Sequence, residues 1–241
     1  MYDRNKMSTS QERDFIHGII RLKRPTIAIE IGVAYGGMAC SIHSALAHNM
    51  SDTGIPAWYT GFDLWDTHGI NGQFQQMGSA EEVTVKLTDI GDNFALVRIN
   101  TQTEQQRFRD ELAHRFTNGI DFAFIDGCHS YDGIKNDFFN IWPYMAPDGI
   151  VAFHDTAVID GCREFIADLR IHNNGSYDVS DYPYGSNDRN CGITVITKPG
   201  FSNVKIDELC GSPSTPEEIY NKEKIDTPAL DNWWQENLNL N

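Results

Sequence analysis

The order of apolar and polar residues predicts an α/β protein: a doubly wound sheet, mostly parallel, closed by an antiparallel last strand. Three observations carry that prediction. Short β-branched or aromatic runs alternate with helix-length amphipathic stretches along most of the chain, the signature of strand–helix–strand crossovers. Some of the runs stop abruptly at ionisable groups, as residues 122–125 do at Asp126 and residues 150–153 do at His154. That is how a buried parallel strand delivers polar groups to its carboxyl edge, where open α/β sheets bind ligands. The last two strands are separated by the Pro-, Gly-, Asn- and Asp-rich segment 181–190. It is too short for a crossover helix, so the final strand must return antiparallel.

Taken in order, residues 8–24 read as an amphipathic helix with Phe15, Ile16, Ile19, Ile20 and Leu22 on its buried side, stopped by Pro25. A β-branched run at 26–31 is the first strand, 36–47 a helix and 58–63 the second strand. A helix at 80–90, a strand at 95–99, a helix at 104–116 and a strand at 121–125 follow. Residues 131–145 read as helix up to the turn Pro147-Asp148-Gly149, with the fifth strand at 150–153. A helix at 159–172 and strands at 177–180 and 192–198 complete the series. The stretch 65–78 reads as a polar, glycine-punctuated loop: a cover over an acceptor, with Trp65 and Phe74 as stacking faces, or a surface loop pinned by Trp65. The loop 181–190, with Tyr182 and Tyr184, would complete the same wall. Residues 1–200 form one domain in this reading. Residues 201–241 form an extension that wraps it through Trp233 and Trp234, or is partly mobile.

The chain of 241 residues carries 34 acidic against 19 basic side chains, a formal charge of −15. Such a surface repels phosphate backbones, so no nucleic-acid partner is expected. Five scattered cysteines (Cys40, Cys128, Cys162, Cys191, Cys210) contain no C-x-x-C pair, which disfavours a zinc ribbon or a dithiol redox site. Reduced thiols are expected, with Cys40, Cys128 and Cys191 as core packing. No apolar run reaches membrane-spanning length and the first residues carry no apolar leader. The expectation is a soluble, cytoplasmic protein with no membrane partner.

Ile27-Ala28-Ile29-Glu30-Ile31-Gly32-Val33-Ala34-Tyr35-Gly36-Gly37 is strand, glycine turn and helix start. Gly32 and Gly36 are spaced G-x-x-x-G, not the G-x-G-x-x-G that seats a dinucleotide pyrophosphate, which argues against NAD and FAD. Alone, the pattern also suits an ordinary βα turn. Asp63 ends the second strand, where a carboxylate bonds both ribose hydroxyls of a nucleoside or simply caps its own turn. Together the glycine turn and the acidic strand tip point to a nucleoside-type cofactor.

Ile125-Asp126-Gly127-Cys128-His129-Ser130-Tyr131 and Phe153-His154-Asp155-Thr156, with Gly61-Phe62-Asp63-Leu64-Trp65, make the chain resemble the class I S-adenosylmethionine-dependent methyltransferases. Within them it is similar to the subgroup with I-D-G-x-H-x-Y and F-H-D strand ends, and to sugar and macrolide-glycoside O-methyltransferases. The resemblance covers residues 26–198. It implies a Rossmann-like, seven-stranded sheet with S-adenosylmethionine beside Gly32, Tyr35 and Gly36. It further implies Asp63 and Leu64 at the ribose, Glu30 supporting the turn and the methionine end, Asn100 and Thr101 near the adenine, and Asp126 facing the cofactor.

Methylating a neutral hydroxyl calls for a base or a divalent cation. Asp126 and Asp155 are hard oxygen ligands suited to Mg²⁺ or Mn²⁺, with His154 as a third. Relatives carry a carboxylate where His154 stands, so the exchange would weaken Mg²⁺, favour Mn²⁺ or another transition metal, or abolish metal binding. His129 is the expected general base, with His154 second and Asp126 as the third catalytic residue. Asp155 is also a candidate cap of the following helix. Lys135 and Asp137 are expected to be solvated, and Tyr131 to line the acceptor pocket or to begin its helix. The leading reading is O-methylation of a hydroxyl on a sugar or glycosylated small molecule, by a chain that could assemble as a homo-oligomer. The alternatives are a non-catalytic adenosylmethionine-fold scaffold and a metal-dependent oxygenase on the same fold.

Overall fold

Seven of the apolar runs pair into one sheet in the computed structural model, which describes residues 8–65, 67–70, 73–76, 78–171, 178–182 and 191–198. The elements in chain order are α1 (Ser10–Lys23), β1 (Ile27–Ile31), α2 (Gly37–Thr53), β2 (Trp58–Asp63), β3 (Thr67–Ile70), β4 (Gln73–Gln76), α3 (Ala80–Thr88) and β5 (Phe94–Arg98). Then come α4 (Gln105–Arg115), β6 (Ile120–Ile125), α5 (Tyr131–Ile141), β7 (Met145–His154), α6 (Asp160–Ile171), β8 (Asp178–Tyr182) and β9 (Ile193–Thr197). The main sheet has the order β5-β2-β1-β6-β7-β9-β8. Strands β1, β2, β5, β6 and β7 run parallel, and β9 runs antiparallel to both β7 and β8. The mixed, mostly parallel sheet is therefore the one predicted, including its reversed final strand.

Because side chains alternate along a strand, each buried strand feeds two cores. Ile29, Ile31, Phe62, Phe153 and their neighbours pack against Phe108 of α4, Phe138 of α5 and Phe165 of α6. On the other face Ala28, Tyr59, Phe122 and Phe124 meet Ile16 and Ile20 of α1 and Ile42 and Leu46 of α2. Glu30 falls in register with this second set and is wholly buried.

Several expectations are corrected. Leu22 is exposed, because it follows Ile20 by two residues and so points to the opposite side of α1. The stretch 65–78 is not only loop: β3 and β4 form an antiparallel ribbon in which Ile70 faces Gln73. The two intervening residues are Asn71 and Gly72, the strongest two-residue hairpin signal, and it passed unread among polar neighbours. Helix α5 ends at Ile141, and Trp142–Tyr144 tightens into a 3₁₀ turn around Pro143, whose ring cannot continue an α-helix. Strand β7 starts earlier than expected, taking in Pro147-Asp148-Gly149 through a register irregularity opposite Ile120 and Phe122. Lys135 and Asp137 are buried, not solvated. Gln102 Nε2 donates to Asp137 Oδ1 at 2.7 Å, and Lys135 Nζ lies over the Tyr131 and Phe139 rings at 5.6 and 5.9 Å. Cys162 and Cys191 are buried, whereas Cys40 and Cys128 are half-buried. Tyr184, Cys210, Trp233, Trp234 and the extension 201–241 lie outside the described residues. Among the described residues no helix is long and apolar enough to cross a membrane.

Candidate functional site

Strand register builds the site. Ile31 pairs with Phe62 on one side and Ile125 on the other, and Ile125 pairs with Phe153. The residues that follow, Asp63, Gly32, Asp126 and His154, therefore stand in one row along the carboxyl edge. The chain changes direction between β1 and β6, so the row spans the crevice where such sheets hold ligands.

At the β1 end, Gly32 has φ +87°, and a Cβ there would stand 2.0 Å from the Asp126 carbonyl oxygen. Only glycine allows both the backbone angle and the approach of the two strand tips. The following turn is pinned from β2. Asp63 Oδ2 accepts from the N–H groups of Val33 and Ala34, and Oδ1 from that of Trp65, each at 2.7 Å. Buried Trp65 donates its indole N–H to Ala34 O at 3.2 Å, and Lys86 Nζ of α3 donates to Tyr35 O at 2.8 Å. A carboxylate has about four acceptor positions, and among the described residues these N–H groups take three of those on Asp63. Tyr35 and Leu64 flank this turn, both half-buried. Gly36, itself at φ +79°, brings no side-chain cap to α2, whose first turn has no acidic residue. The helix thus presents bare amide N–H groups and its dipole toward the turn.

Beneath the turn, Glu30 Oε2 accepts from Tyr59 O–H at 2.6 Å. Burial pushes the Glu30 carboxyl well above its ordinary range, outweighing the Tyr59 bond that favours its charged form, and the nearby Asp126 and Asp63 charges add to the rise. One strand beyond Asp63, Asn100 shapes the turn after β5. Its Oδ1 accepts from the N–H groups of Gln102 and Thr103 at 3.0 Å, and its own N–H donates to Glu104 Oε2 at 2.9 Å. Thr101 is buried beside it and accepts from Gln102 Nε2 at 3.1 Å.

The β6 and β7 tips bring a different chemistry together. Asp126 Oδ1 lies 3.2 Å from His129 Nε2 and 3.1 Å from His154 Nδ1. Asp155 Oδ2 lies 3.4 Å from the same His129 nitrogen and 3.5 Å from the same His154 nitrogen. Two carboxylate oxygens and two imidazole nitrogens thus alternate around a four-cornered ring. Burial opposes charge on both histidines, but the flanking carboxylates prevail: His129 is raised and His154 raised well above its ordinary value. The imidazoles in turn hold Asp126 below the usual carboxylate range despite its burial. The His129 side chain keeps 24 % exposure and that of His154 only 1 %. Of the two imidazoles, His129 is the one that faces outward.

One member of this cluster was not foreseen. Glu12 of α1 is wholly buried, and its Oε2 lies 3.3 Å from His154 Nε2. The pattern Thr9-x-x-Glu12 marks a capping box, but nothing in it announces a partner on β7. Two other expectations are settled here. Asp155 is not the cap of α6, which begins only at Asp160; its main-chain oxygen instead accepts from Val158 and Ile159. Tyr131 opens α5 and donates to Asp168 Oδ2 at 2.6 Å, with its ring edge-on to Phe165. It therefore ties α5 to α6.

Asp126, His154 and Asp155 offer three donor atoms within 4.8 Å of one another. Two carboxylate oxygens with one imidazole nitrogen fit a divalent first-row ion such as Mn²⁺ better than Mg²⁺, which prefers oxygen alone. The residues present fit such an ion.

A family described as a methyltransferase domain matches residues 29–156 of the chain. No curated protein matches the sequence. Among solved structures, the O-methyltransferase TomG from Streptomyces achromogenes, involved in tomaymycin synthesis and bound to SAM, superposes with a TM-score of 0.60. It shares 16% identity over 80% of this chain and 82% of that one. An O-methyltransferase from Bacillus cereus in complex with SAH gives a TM-score of 0.59 at 11% identity, covering 79% and 82% of the two chains. The O-methyltransferase NovP gives 0.57 at 14% identity, covering 78% and 80%. At these identities the structural likeness establishes the shared fold.

Proposed function

The chain belongs to this methyltransferase-domain family, and from that premise we propose that it moves the methyl group of S-adenosylmethionine to a hydroxyl of a sugar or glycosylated small molecule, with a divalent cation assisting. One observation carries the reading: a backbone-braced glycine turn and a ring of ionisable side chains stand side by side in one row of strand tips. The first suits a nucleoside cofactor and the second an acid–base reaction. SAM in TomG and SAH in the Bacillus cereus enzyme support the cofactor. The role of TomG in tomaymycin synthesis is in keeping with a small-molecule acceptor. The sugar rests on the I-D-G-x-H-x-Y and F-H-D motifs.

Bound S-adenosylmethionine supplies a sulfonium methyl carbon open to in-line displacement. A fourth acceptor position on Asp63 would take a ribose hydroxyl, with Leu64 packing beside it. Asn100 and Thr101 border the adenine. The amide N–H groups at the start of α2 would take the methionine carboxylate, and Glu30, whose carboxyl burial pushes up, would support the turn with Gly32, Tyr35 and Gly36. With S-adenosylmethionine bound, the acceptor oxygen would displace S-adenosylhomocysteine from the methyl carbon, and His129 Nε2 would take the hydroxyl proton. Asp126 and Asp155, at 3.2 and 3.4 Å, stabilise the imidazolium that results. The products are a methyl ether, S-adenosylhomocysteine and a proton on His129. Asp126, Asp155 and His154 would hold a divalent ion, which would stabilise a developing alkoxide.

The test offers free sugars, glycosides and the matching aglycones to the protein with S-adenosylmethionine and Mn²⁺, and counts S-adenosylhomocysteine released. Release is expected with sugar-bearing acceptors, lost in EDTA and restored better by Mn²⁺ than by Mg²⁺. Absence of S-adenosylmethionine binding by calorimetry overturns the reading. Undiminished turnover in EDTA removes the cation, and equal turnover of the aglycones removes the sugar.

A further inference from the structure

We propose that Glu12 is a positioning residue for the reacting end: its carboxylate holds the Nε2–H of His154 and thereby turns the Nδ1 lone pair toward the gap between Asp126 and Asp155. The inference rests on the reading of those three residues as a cation site.

Glu12 lies outside the family-matched segment 29–156, on a helix that places no residue at the glycine turn. A capping-box glutamate needs only to reach back to its own N-cap, and Glu12 does so, its Oε2 accepting from Thr9 N–H at 2.7 Å. That role does not call for burial, yet Glu12 is wholly buried. The phase of α1 explains where it goes. Glu12 precedes Ile16 and Ile20 by one and two turns, so the stripe that docks α1 also drives this carboxylate under the β7 tip.

There it meets a group with a matching need. Among the described residues, Glu12 Oε1 and His154 Nε2 are both buried polar atoms without a hydrogen-bond partner. One is an acceptor, the other can donate, and Glu12 Oε2 is already 3.3 Å from that nitrogen. A small rotation of the carboxylate satisfies both. A neutral imidazole has one N–H and one lone pair, and the partner of the first decides where the second points. With the proton committed to the Glu12 side, the lone pair lies on Nδ1, which stands 3.1 Å from Asp126 Oδ1 and 3.5 Å from Asp155 Oδ2. Such atoms converge around a shared proton, which Nδ1 and Asp126 Oδ1 can hold between them at 3.1 Å, or around a cation that takes the proton's place. A carboxylate behind a ligating histidine is how proteins orient such rings.

Mn²⁺ is titrated by calorimetry into wild type, Glu12→Gln and Thr9→Ala, each saturated with S-adenosylmethionine. Glutamine also serves in a capping box, so Glu12→Gln keeps the helix start while losing the charge. It should bind Mn²⁺ about 10–100-fold more weakly, with S-adenosylmethionine affinity unchanged. Thr9→Ala breaks the box but keeps the carboxylate, and should lower the melting temperature without changing Mn²⁺ affinity. Equal Mn²⁺ affinity in Glu12→Gln and wild type overturns the proposal. So does an equal loss in Thr9→Ala, which would make Glu12 a helix-docking residue only. Cys191 Sγ joins Glu12 and His154 in a second set of donor atoms within 4.8 Å. Two Mn²⁺ per wild-type chain falling to one in Glu12→Gln would thus make Glu12 a ligand and overturn the proposal as well. A wild type that binds S-adenosylmethionine but no Mn²⁺ ends the cation reading and the role of Glu12 together, leaving the methyltransferase assignment standing.

Discussion

Asp63 and Asp155 are both carboxylates at the carboxyl edge of the sheet, yet they are held in opposite ways. Asp63 gathers three backbone N–H groups at 2.7 Å, while Asp155 Oδ2 faces two imidazole nitrogens at 3.4 and 3.5 Å. The same contrast runs through the halves they belong to. The glycine turn is fixed by main-chain dipoles at full hydrogen-bond distance, so its shape is set before any ligand arrives. At the β6 and β7 tips the side chains meet through longer contacts between ionisable groups, so the arrangement of those side chains depends on which protons and cations are present. The glycine turn is held by backbone geometry, and the side chains at the β6 and β7 tips by charge.

Four substitutions would break or sharpen that contrast, in decreasing order of expected effect. His129→Ala should lower kcat by about 10²–10⁴-fold with unchanged S-adenosylmethionine affinity in calorimetry. A parallel loss of affinity would mean that the halves are not separable. Gly32→Ala puts a Cβ against the Asp126 carbonyl at a left-handed φ. Strain and displacement together should cost about 2–4 kcal/mol, read as a lower denaturant midpoint, and a neutral outcome would show that the strand tips yield freely. Asp63→Ala strips three N–H groups of their acceptor and should cost about 1.5–3 kcal/mol of stability while weakening S-adenosylmethionine. Normal cofactor binding in that variant would remove Asp63 from the cofactor half.

The smallest effect is on pH dependence. Glu30 has a carboxyl raised well above its ordinary 4.5 by burial, so the folded state holds its proton where the unfolded state has lost it. Its contribution to stability is fully present below pH 4.5 and is lost as pH climbs toward the folded value, by at most about 1.4 kcal/mol per pH unit. Glu30→Gln has no proton to hold. The stability of the variant relative to wild type should therefore grow between pH 5 and 8, and a constant difference would show that Glu30 is already ionised in the fold.

Much of the fold was legible because parallel strands announce themselves as apolar blocks with polar ends. Strand β2 runs from Trp58 to Asp63 as read, and the reversed last strand followed from a connection too short for a helix. The β3–β4 ribbon escaped because its sequence holds no apolar run, leaving only Asn71-Gly72 as a sign. In the site, the sequence placed ionisable residues at strand tips, but it could not show what each one touches. The Asp63 carboxylate is largely taken up by its own neighbouring loops, which no spacing rule reveals. Glu12 looked like one more charge at a helix start, and Lys135 and Asp137 like a solvated face. In each case the deciding fact is which distant element lies on top, and that is a property of packing alone.

The missing side chain at Gly32 has one more consequence. With the β1 and β6 tips in backbone contact, the Asp126 N–H donating to Ile31 O at 2.8 Å, the glycine turn and the Asp126 backbone brace each other. A ligand that settles the turn also settles Asp126, so loading one end prepares the other.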